Sequence, residues 1–422
     1  MNMNRRQFVA AAGSVALLPL VGCSTKPDAQ HVVVIGGGFG GSAAAKYLKK
    51  YQPSLMVTLI EPKTTHVTCP GSNWHLAGLV SMEQLTFNYD GLKKRGVQVI
   101  HDSVTAIDEQ AHQVTLAGGQ KLTYSKLIVS PGIDFKWGAI EGVTQANAEK
   151  MPHAWQAGPQ TLLLKQQIES MKQGGTFVMI APPNPYRCPP GPYERVGMVA
   201  QYFKKHNPKA KIIILDPKDK FSKQGLFVEA WQDLYGDMVE WTGAMDGGKV
   251  TKVDVNTMTV YAEAGEIKAD VINAIPAQKA GALAFTAGLT NESGFCPVNP
   301  TTFESTLKKD IYVIGDAAIA GAMPKSAHSA VSHAKMTAAA VVNALTGKSD
   351  FPTINANTCY SLVSDSYAIS IVGVYAVQNG KIDEIKGAGG VSPAKADNDF
   401  RAMEAIYAKG WYSSITQDVW GS

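Results

Sequence analysis

His31-Val32-Val33-Val34-Ile35-Gly36-Gly37-Gly38-Phe39-Gly40-Gly41 is the stretch that decides the fold of the first part of the chain. The β-branched run at its start predicts a buried parallel strand, and the glycines after it match the pattern Gly-x-Gly-x-x-Gly. Gly36 permits a tight turn, Gly38 lets the backbone approach a pyrophosphate, and Gly41 allows the following helix to pack closely on the strand. Residues 42–50, rich in Ala and Lys, predict that helix. The stretch therefore indicates a Rossmann-like dinucleotide-binding fold.

An acidic residue stands where such a fold needs one. Residues 56–60 are a second apolar run that predicts the next strand, and Glu61 follows it directly. An acid about 20 residues after the glycine motif accepts hydrogen bonds from ribose hydroxyls. A lone glycine motif is weak evidence, because a glycine-rich turn gives the same letters. The order of strand, motif, helix, strand and acid is specific, and it favours a nucleotide site.

Two later segments bear on which nucleotide is bound. Residues 310–317 predict a strand that ends in Gly315-Asp316, and residues 127–132 read Leu-Ile-Val-Ser-Pro-Gly. The first segment resembles the second flavin-binding motif of flavoproteins with two dinucleotide-binding domains, such as the pyridine nucleotide–disulfide reductases. The second resembles the signature where their chain crosses between domains. The resemblance implies that Asp316 binds the ribityl chain of a flavin, and that the cofactor is FAD rather than NAD.

The second half of such a protein needs its own glycine motif, and this chain lacks a good one. Residues 174–181 and 211–216 predict strands of a second Rossmann-like unit. Between them, residues 182–192 hold Cys188 among six prolines, which lack the N–H groups that would cradle a phosphate. The loop is therefore a poor NAD(P)H site and a rigid turn that presents a cysteine. An NADH-linked reductase remains an alternative, which this loop disfavours.

Composition sets outer limits on the protein. The chain has 422 residues, 45% hydrophobic and 18% charged, with a net charge of +4. These values exclude a disordered chain, a coiled coil and a collagen-like repeat, and they give no argument for nucleic acid as a partner. Five cysteines are too few for a disulfide scaffold, and an odd number leaves at least one without an intrachain partner.

Residues 1–29 predict an export signal. Arg5-Arg6 precedes a short apolar run, residues 8–21, which indicates a twin-arginine signal and export of a folded, cofactor-loaded protein to the periplasm. Residues 20–23, Leu-Val-Gly-Cys, resemble a lipoprotein cleavage box, which implies a lipid anchor on Cys23. Two alternatives stay open, which are ordinary cleavage near Ala29, with loss of Cys23, and a loosely packed N-terminal helix.

The mature chain as a whole resembles the flavoprotein subunit of flavocytochrome c sulfide dehydrogenase, a relative of the sulfide:quinone oxidoreductases. The matching stretches are residues 152–155, 187–195, 294–298 and 357–360, with Trp411-Tyr412 and Thr416-Gln417-Asp418 near the C-terminus. The resemblance implies that Trp411 belongs to a flavin-binding tail. It also implies that two cysteines form a redox-active disulfide beside the flavin.

The resemblance places that disulfide at Cys188 and Cys359. The two positions are far apart in sequence, so only the fold can bring their Cα atoms within the roughly 4.4–6.8 Å that a bridge requires. Two buried apolar cysteines are the alternative. Arg187 argues against it, because a neighbouring cation lowers the pKa of a thiol and favours the thiolate. Which of the two sulfurs keeps the substrate stays open.

The remaining cysteines are assigned in the same way. A cysteine that attaches to the flavin 8-methyl group matches Cys69, although Pro70-Gly71 departs from the family pattern. Cys296 also matches, and we expect a structural thiol there. We predict no metal site, because no Cys-x-x-Cys occurs and because His328 and His333 lack companion ligands. Any haem must therefore sit on another polypeptide.

The function that the resemblance implies is oxidation of hydrosulfide by a FAD-dependent enzyme. The anion opens the disulfide, and the electrons pass through the flavin to a c-type cytochrome subunit. Lys325, Arg187 and Arg195 are candidates to stabilise the anion or the reduced flavin. Glu194 is a candidate proton acceptor, although an ion pair with Arg195 explains it equally well. The chain departs from the family at Ala318 and residues 328–330, so redox tuning or substrate can differ.

Two other functions remain open. One is a sulfide:quinone oxidoreductase, although residues 351–422 show no long apolar or amphipathic stretch for quinone access. The other is a non-enzymatic flavin electron-relay subunit, which would have no use for Cys188 and Cys359.

The predicted fold class is α/β, with two Rossmann-like dinucleotide-binding domains and a C-terminal α+β domain that covers the flavin and forms an interface. The predicted divisions are the signal 1–29, the FAD-binding domain 30–150 and 286–348, the second Rossmann-like domain 151–285, and the C-terminal domain 349–422.

Overall fold

The computed structural model describes residues 30–347 and 353–421. The predicted export signal, the cleavage box and Cys23 lie outside the described residues.

The strands fall into three groups along the chain. The first group comprises β1 His31–Ile35, β2 Met56–Ile60, β3 Thr65–Val67, β4 Thr86–Asn88, β5 Gln98–Ile100, β6 Val104–Asp108, β7 Gln113–Leu116, β8 Lys121–Thr123, β9 Lys126–Val129 and β10 Ile133–Phe135. The second comprises β11 Thr176–Ile180, β12 Lys211–Leu215, β13 Val239–Thr242, β14 Val250–Asp254, β15 Thr259–Ala262, β16 Gly265–Lys268, β17 Val271–Ala274 and β18 Gln278–Ala280. The third comprises β19 Cys296–Pro297, β20 Ile311–Val313, β21 Ala318–Ile319, β22 Ile354–Ser364, β23 Tyr367–Gln378, β24 Lys381–Glu384 and β25 Gly390–Val391.

The helices connect and cover these sheets. They are α1 Phe39–Tyr51, α2 Ser72–Leu76, α3 Asp90–Lys94, α4 Pro159–Ser170, α5 Gly191–His206, α6 Gln224–Tyr235, α7 Ala282–Thr286, α8 Ala327–Thr346 and α9 Asn398–Trp420. Among the residues 30–347 and 353–421, no helix is both long enough and apolar enough to cross a membrane.

A five-stranded parallel sheet organises the first sequence motif and the distant Gly-Asp motif. Its order is β20-β9-β1-β2-β5, so β20 joins strands that precede it by almost 200 residues. Gly36, Ser130 and Gly315 follow the carboxyl ends of β1, β9 and β20, respectively. Ligands of open α/β sheets bind in the crevice at these ends. The fold therefore gathers the three predicted flavin signatures at one edge of one sheet.

The glycine motif explains how α1 sits on this sheet. The helix begins at Phe39, three residues before the predicted start, and Gly38 is its N-cap. A Cβ atom on Gly41 would lie 1.8 Å from the Gly36 carbonyl oxygen, so this contact excludes any side chain. Tertiary packing here overrides the poor helix propensity of Gly40 and Gly41.

A second parallel sheet has the order β13-β12-β11-β17. Its strand β11 contains the fully buried apolar run Phe177-Val178-Met179-Ile180, which is typical of sheets covered on both faces. The proline-rich loop joins β11 to α5, which is the junction where a Rossmann unit would bind phosphate. The two sheets confirm the predicted α/β class with Rossmann-like units.

The C-terminal part pairs the long strands β22 and β23 and covers them with α9. Asp397 caps this 23-residue helix by accepting a hydrogen bond from the Phe400 N–H, 2.8 Å away. Its exposed side carries a row of apolar residues, which are Phe400, Met403, Ile406 and Tyr407. The helix buries Arg401 and Glu404 and turns these apolar side chains outward. The expectation that residues 351–422 lack a long apolar or amphipathic stretch stays a prediction.

Candidate flavin and thiol site

A deep opening lies at the carboxyl edge of the first sheet. It holds about 1200 Å³ of empty space between the sheet, α5 and the C-terminal part. Residues from all three groups of strands contribute to its wall, including Gly38, Cys69, Ser130, Trp155, Arg187, Cys188, Glu194, Arg195, Gly315, Asp316, Cys359 and Trp411. We call this opening the main cavity.

Gly38 is the part of the motif that faces the main cavity. Its backbone is extended, with φ −72° and ψ −168°, and a Cβ atom there would meet only His66, at 3.6 Å. No protein contact therefore requires glycine at this position. Close approach of a phosphate to the start of α1 does require it, so Gly38 fits a dinucleotide.

Asp316 supplies a second element of fit. Its Oδ1 is buried without a hydrogen-bond partner, and its Oδ2 lies 4.0 Å from Nη1 of Arg187. Burial raises the pKa of this carboxyl, and Arg187 and Lys325 oppose that shift. A buried acceptor that lacks a partner and lines a cavity is suited to the hydroxyls of a ribityl chain. The residues present therefore fit FAD.

Glu61 lies beside the motif rather than in the wall of the main cavity. Its Oε2 accepts a hydrogen bond from the Gly37 N–H at 2.7 Å, and its Oε1 accepts one from the Lys63 N–H at 3.0 Å. The carboxylate thus braces the turn after β1. Contact with a ribose stays a prediction.

Cys69 and Trp411 both line the main cavity. The Cys69 Sγ lies 3.6 Å from the Trp155 carbonyl oxygen, just before α2. The Trp411 indole N–H, on α9, is buried without a partner. These positions suit a group that attaches at Cys69 and is covered by the C-terminal helix.

Lys325 is placed differently from expectation. Its ammonium donates hydrogen bonds to the carbonyl oxygens of Asp316, at 2.7 Å, and Ala318, at 2.9 Å, and it lies 4.0 Å from the centre of the Phe295 ring. It does not line the main cavity. Burial lowers its pKa to about 8. Lys325 thus fixes the backbone of the Gly-Asp motif instead of facing an incoming anion.

Cys296 is fully buried in β19, and burial raises its pKa to about 12. Such a group stays a protonated thiol under ordinary conditions, which agrees with the structural role expected from the sequence.

The fold brings Cys188 and Cys359 together. Their side chains are thiols that form a hydrogen bond with each other, one from the proline-rich loop and one from β22. Cys188 has a left-handed backbone with φ +58°, which is rare for a residue other than glycine. Its N–H donates to the Lys325 carbonyl oxygen at 2.7 Å, and its own carbonyl oxygen accepts from the Gly191 N–H at 2.8 Å. The loop therefore holds Cys188 in a strained but fixed position.

The two thiols differ in acidity. The hydrogen bond to Cys359, together with burial, raises the pKa of Cys188 well above its ordinary value. The pKa of Cys359 is lowered to about 7, because of its hydrogen bond with Cys188 and the nearby ammonium of Lys223, against the effect of burial. Arg187 lowers the pKa of Cys188, as the sequence led us to expect, but its effect is smaller than those of the neighbouring thiol and of burial.

The thiol pair also borders a second opening. This opening holds about 600 Å³ of empty space, and its wall includes Cys188, Cys359, Pro189, Pro190, Pro324, Asn357, Val372 and Tyr375. We call it the outer cavity. Cys188 and Cys359 line both cavities, so they stand in the wall that the two share.

Glu194 and Arg195 do not form the ion pair that the sequence left open. Glu194 accepts hydrogen bonds from Asn73 Nδ2, Trp74 Nε1 and the Leu362 N–H, all at 3.0–3.1 Å. Burial raises the pKa of this carboxyl, and the hydrogen bonds oppose that shift. Arg195 is 1% exposed and donates instead to two backbone carbonyls and to the amide oxygens of Asn73 and Asn273. Within the described residues no cation lies at ion-pair distance from Glu194, which lines the main cavity.

Asp216 occupies the place in the second sheet where a nicotinamide ribose would bind. It is 0% exposed. Its carboxylate accepts hydrogen bonds from the Tyr193 hydroxyl at 2.5 Å, Lys218 Nζ at 2.6 Å and Trp241 Nε1 at 3.2 Å. The Tyr193 and Phe221 rings stack with centroids 3.6 Å apart beside it. Protein donors and aromatic rings thus fill this site, in line with the missing second glycine motif.

Among the described residues, no group of three or more His, Cys, Asp or Glu side chains is arranged to hold a metal ion. His333 accepts a hydrogen bond from the Gly315 N–H, and His328 contacts the Ala356 carbonyl oxygen at 3.0 Å.

Sequence reasoning missed Lys223 and Ser361. Lys223 ends the loop before α6 and reaches β22, where its Nζ donates to the Ser361 hydroxyl at 2.9 Å. The one available signal was the position of Ser361, two residues after Cys359 in an apolar run that predicts a strand, and hence on the same face.

Three family models match the chain. Residues 30–166 match "Pyridine nucleotide-disulphide oxidoreductase". Residues 161–276 match "Sulfide dehydrogenase (flavocytochrome c) flavoprotein chain, central". Residues 352–420 match "Flavocytochrome c sulphide dehydrogenase, flavin-binding". The matches follow one another along the described chain.

Similarities to individual proteins agree with these family matches. The flavoprotein chain of sulfide dehydrogenase (flavocytochrome c) from Chlorobaculum thiosulfatiphilum is 66% identical over 44 residues, which are 10% of this chain and 92% of that sequence. The sulfide-quinone reductase of Aquifex aeolicus is 33% identical over 112 residues, and this chain spans only 26% of its length. The X-ray structure of the sulfide:quinone oxidoreductase from Aquifex aeolicus superposes with a TM-score of 0.68 at 20% identity, over 92% of each chain. That last likeness shows the fold alone.

These matches agree with the fit of the main cavity to a flavin dinucleotide, so the protein is a FAD-dependent oxidoreductase. Two models specific for one family cover its central and C-terminal parts, and a relative of that family is 66% identical over 44 residues. The chain therefore belongs to the family of flavoprotein chains of flavocytochrome c sulfide dehydrogenase.

Proposed function

We propose that this chain oxidises hydrosulfide in the periplasm through a Cys188–Cys359 disulfide and FAD, and passes the electrons to a c-type cytochrome subunit. The observation that carries the proposal is the position of the two thiols. They border the main cavity, which fits FAD, and also the outer cavity, which offers a separate approach. A reductant can therefore reach the sulfur pair without displacing the cofactor.

The outer cavity is the approach for the substrate. Hydrosulfide is small, anionic and nucleophilic, and it opens a disulfide by thiol–disulfide exchange. One cysteine keeps the incoming sulfur as a persulfide, and the other leaves as a thiolate. The lower acidity of Cys188 and the lowered pKa of Cys359 favour Cys359 as the sulfur that leaves.

FAD, when bound, accepts an electron pair and releases single electrons, which suits a two-electron donor and a haem acceptor. Gly38 leaves room for its pyrophosphate, Asp316 accepts from its ribityl hydroxyls, and Trp411 covers it. Cys69 is the proposed site of covalent attachment. The side of the thiol pair that faces the main cavity is the side that delivers the electrons.

Glu194 is the proposed proton acceptor. It lines the main cavity with the thiol pair, and burial raises its pKa. Lys223 acts on it only from beyond ion-pair distance. A carboxylate whose pKa is raised in this way can take the proton that hydrosulfide loses as its sulfur is oxidised. Its three hydrogen-bond donors keep it oriented while it does so.

Family and signal sequence suggest the partner and the place. The name of the Chlorobaculum relative includes a flavocytochrome c, and we extend that partner to this chain. The Arg5-Arg6 signal supports export to the periplasm, and Cys23 supports a lipid anchor as an alternative to cleavage near Ala29.

Anaerobic titration of the purified protein with sulfide, followed by flavin absorbance, tests the reaction. We expect stoichiometric bleaching in the wild type, none with NADH, and loss of sulfide-dependent bleaching in Cys359→Ala. Cys296→Ala is the matched control, because that thiol is buried away from both cavities. Unchanged bleaching in Cys359→Ala, or bleaching by NADH alone, would contradict the proposal.

A sulfide:quinone oxidoreductase is the second candidate, favoured by the apolar row on α9 formed by Phe400, Met403, Ile406 and Tyr407. An exposed row of this kind can meet a membrane surface. Reoxidation of the sulfide-reduced protein separates the two functions. Fast electron transfer to a c-type cytochrome supports the first candidate, and transfer only to a quinone analogue supports the second.

A further inference from the structure

Lys223, at the start of α6, places a cation beside the thiol pair. Its Nζ donates to the Ser361 hydroxyl at 2.9 Å and to the Ile369 carbonyl oxygen at 3.3 Å. The aliphatic stem and ammonium pass the Phe227 ring, with Nζ 5.7 Å from its centre. The cation is thus held at the β22–β23 pair, where Cys359 lies.

Ser361 connects this cation to the thiol. Cys359 and Ser361 are two residues apart in β22 and share one face of the sheet, opposite Ile371 and Ile369, respectively. The Ser361 side chain is 0% exposed, and its hydroxyl acts on the Cys359 sulfur by lowering the pKa of that thiol. Because its oxygen accepts from Lys223, its own proton is available to the sulfur. The contacts form a chain from Lys223 through Ser361 to Cys359.

The charges around Lys223 leave it without a direct counter-ion. No carboxylate within the described residues lies at ion-pair distance from its ammonium. Glu194 on α5 and Glu404 on α9 are the acids that act on it from a greater distance, together with the two thiols. Glu194 already accepts three hydrogen bonds. Glu404 accepts from Ser370, Ser392 and Arg401.

We propose that Lys223, acting through Ser361, is a positioning residue that stabilises Cys359 as the leaving thiolate when the disulfide opens. The inference rests on the proposed function. In the step, the bond between the two cysteine sulfurs breaks, and a bond forms between the hydrosulfide sulfur and Cys188. The electron pair of the broken bond goes to the Cys359 sulfur. Ser361 keeps its proton and donates a hydrogen bond to that sulfur.

This arrangement gives the disulfide a direction. Leaving-group thiols of lower pKa depart faster, so the sulfur near the cation leaves and the other keeps the substrate. The thiolate also supplies the buried ammonium with the counter-charge that no carboxylate provides at close range. Burial lowers the pKa of Lys223, and the Cys359 thiolate opposes that change, so each group favours the charged form of the other.

The test measures Cys359 without using activity. Protein reduced with dithiothreitol is alkylated with iodoacetamide over a range of pH, and the rate at the Cys359 peptide is read by mass spectrometry. We expect Lys223→Met to raise the pH midpoint by about one unit or more, since removing an opposite charge within about 4–6 Å shifts a pKa by about 1–3 units. We expect Ser361→Ala to raise the midpoint as well, and Lys223→Arg, which keeps the positive charge, to leave it near the wild-type value.

Lys220→Met is the control, because Lys220 is exposed in the same loop and keeps the wild-type midpoint. Sulfide-dependent bleaching should slow about threefold or more in Lys223→Met, because the leaving thiol is less acidic. An unchanged midpoint in both Lys223→Met and Ser361→Ala overturns the inference. Wild-type protein that does not bleach with sulfide refutes the proposed function instead, and the alkylation midpoint still decides on Lys223.

Discussion

Gly38 and Gly41 belong to one motif but serve different purposes, and replacing each by alanine separates them. A Cβ atom on Gly38 meets no protein atom closer than 3.6 Å, whereas one on Gly41 would lie 1.8 Å from the Gly36 carbonyl oxygen. Gly38 faces the main cavity, and Gly41 packs α1 on β1. We therefore expect Gly38→Ala to weaken FAD binding and Gly41→Ala to weaken the fold.

The magnitudes follow from these contacts. The backbone of Gly38, at φ −72° and ψ −168°, is open to alanine. A glycine-to-alanine change at such a site stabilises a protein by about 0.4–1 kcal/mol, through the unfolded chain. The added methyl group occupies the space of a pyrophosphate oxygen, so we expect FAD affinity to fall at least about tenfold, or about 1.4 kcal/mol. Gly41→Ala has to move the helix, and we expect a loss of about 3 kcal/mol or more in unfolding free energy.

Two assays read the two effects. Urea unfolding of the apoprotein gives the free energy of unfolding without cofactor, and titration with FAD, followed by flavin fluorescence, gives the affinity. Both are made in a Cys69→Ala background, so that covalent attachment cannot hide a weakened site. Gly225→Ala is the control, because a Cβ atom there meets no atom within 4 Å and Gly225 does not line the main cavity.

If Gly38→Ala binds FAD as tightly as the Gly225→Ala control, the cofactor does not approach the backbone at the start of α1, and the role assigned to Gly38 is refuted. If Gly41→Ala unfolds at the same urea concentration as the control, the contact with Gly36 does not limit the packing of α1 on β1, and the role assigned to Gly41 is refuted.

Three further predictions concern other parts of the molecule. Cys69→Ser should release all flavin into the supernatant on denaturation, whereas the wild type should retain flavin in the precipitate; free flavin in both would refute covalent attachment. Asp216→Asn should lower the unfolding free energy by about 3 kcal/mol, because it leaves the buried Lys218 ammonium unpaired. Sulfide-dependent bleaching per folded molecule should stay unchanged. A large loss of bleaching would assign Asp216 to the reaction. Burial lowers the pKa of His153 to about 4, below its unfolded value of about 6.5, so its contribution to stability is complete above pH 6.5 and is lost as the pH falls towards 4, by up to about 3 kcal/mol. Acid unfolding of His153→Gln should be shallower over that range, and an identical pH profile would contradict this.

The sequence predicts the centre of the fold well and its periphery poorly. The strands His31–Ile35 and Met56–Ile60 have the bounds that their apolar runs indicate, because a parallel strand buried on both faces is a continuous apolar run. The helix α9 escaped prediction because it inverts the usual pattern. It buries Arg401 and Glu404 and exposes Phe400 and Met403, so its sequence lacks a face that marks a helix.

The residues of the candidate site also differ in how far sequence alone predicts them. The motifs around Gly36 and Asp316 carry their own local signal, so sequence alone places them at one cofactor. The proximity of Cys188 and Cys359 follows from resemblance, since no local pattern links a loop to a strand so far along the chain. Lys223 gave no signal at all, because it meets Ser361 across 138 positions of sequence, and only tertiary structure creates that contact.

The two Rossmann-like units now differ in what they present at the same topological place. In the first unit, the junction of β1 and α1 offers free N–H groups to a dinucleotide. In the second, the junction of β11 and α5 has prolines in place of N–H donors, and Asp216 is occupied by protein groups. The second junction has thus lost the means to bind a nicotinamide dinucleotide, while the loop fixes Cys188 at the edge of the main cavity. We therefore expect a reductant to deliver its electrons to sulfur rather than directly to the flavin, so that the thiol pair, and not NADH, determines what this enzyme oxidises.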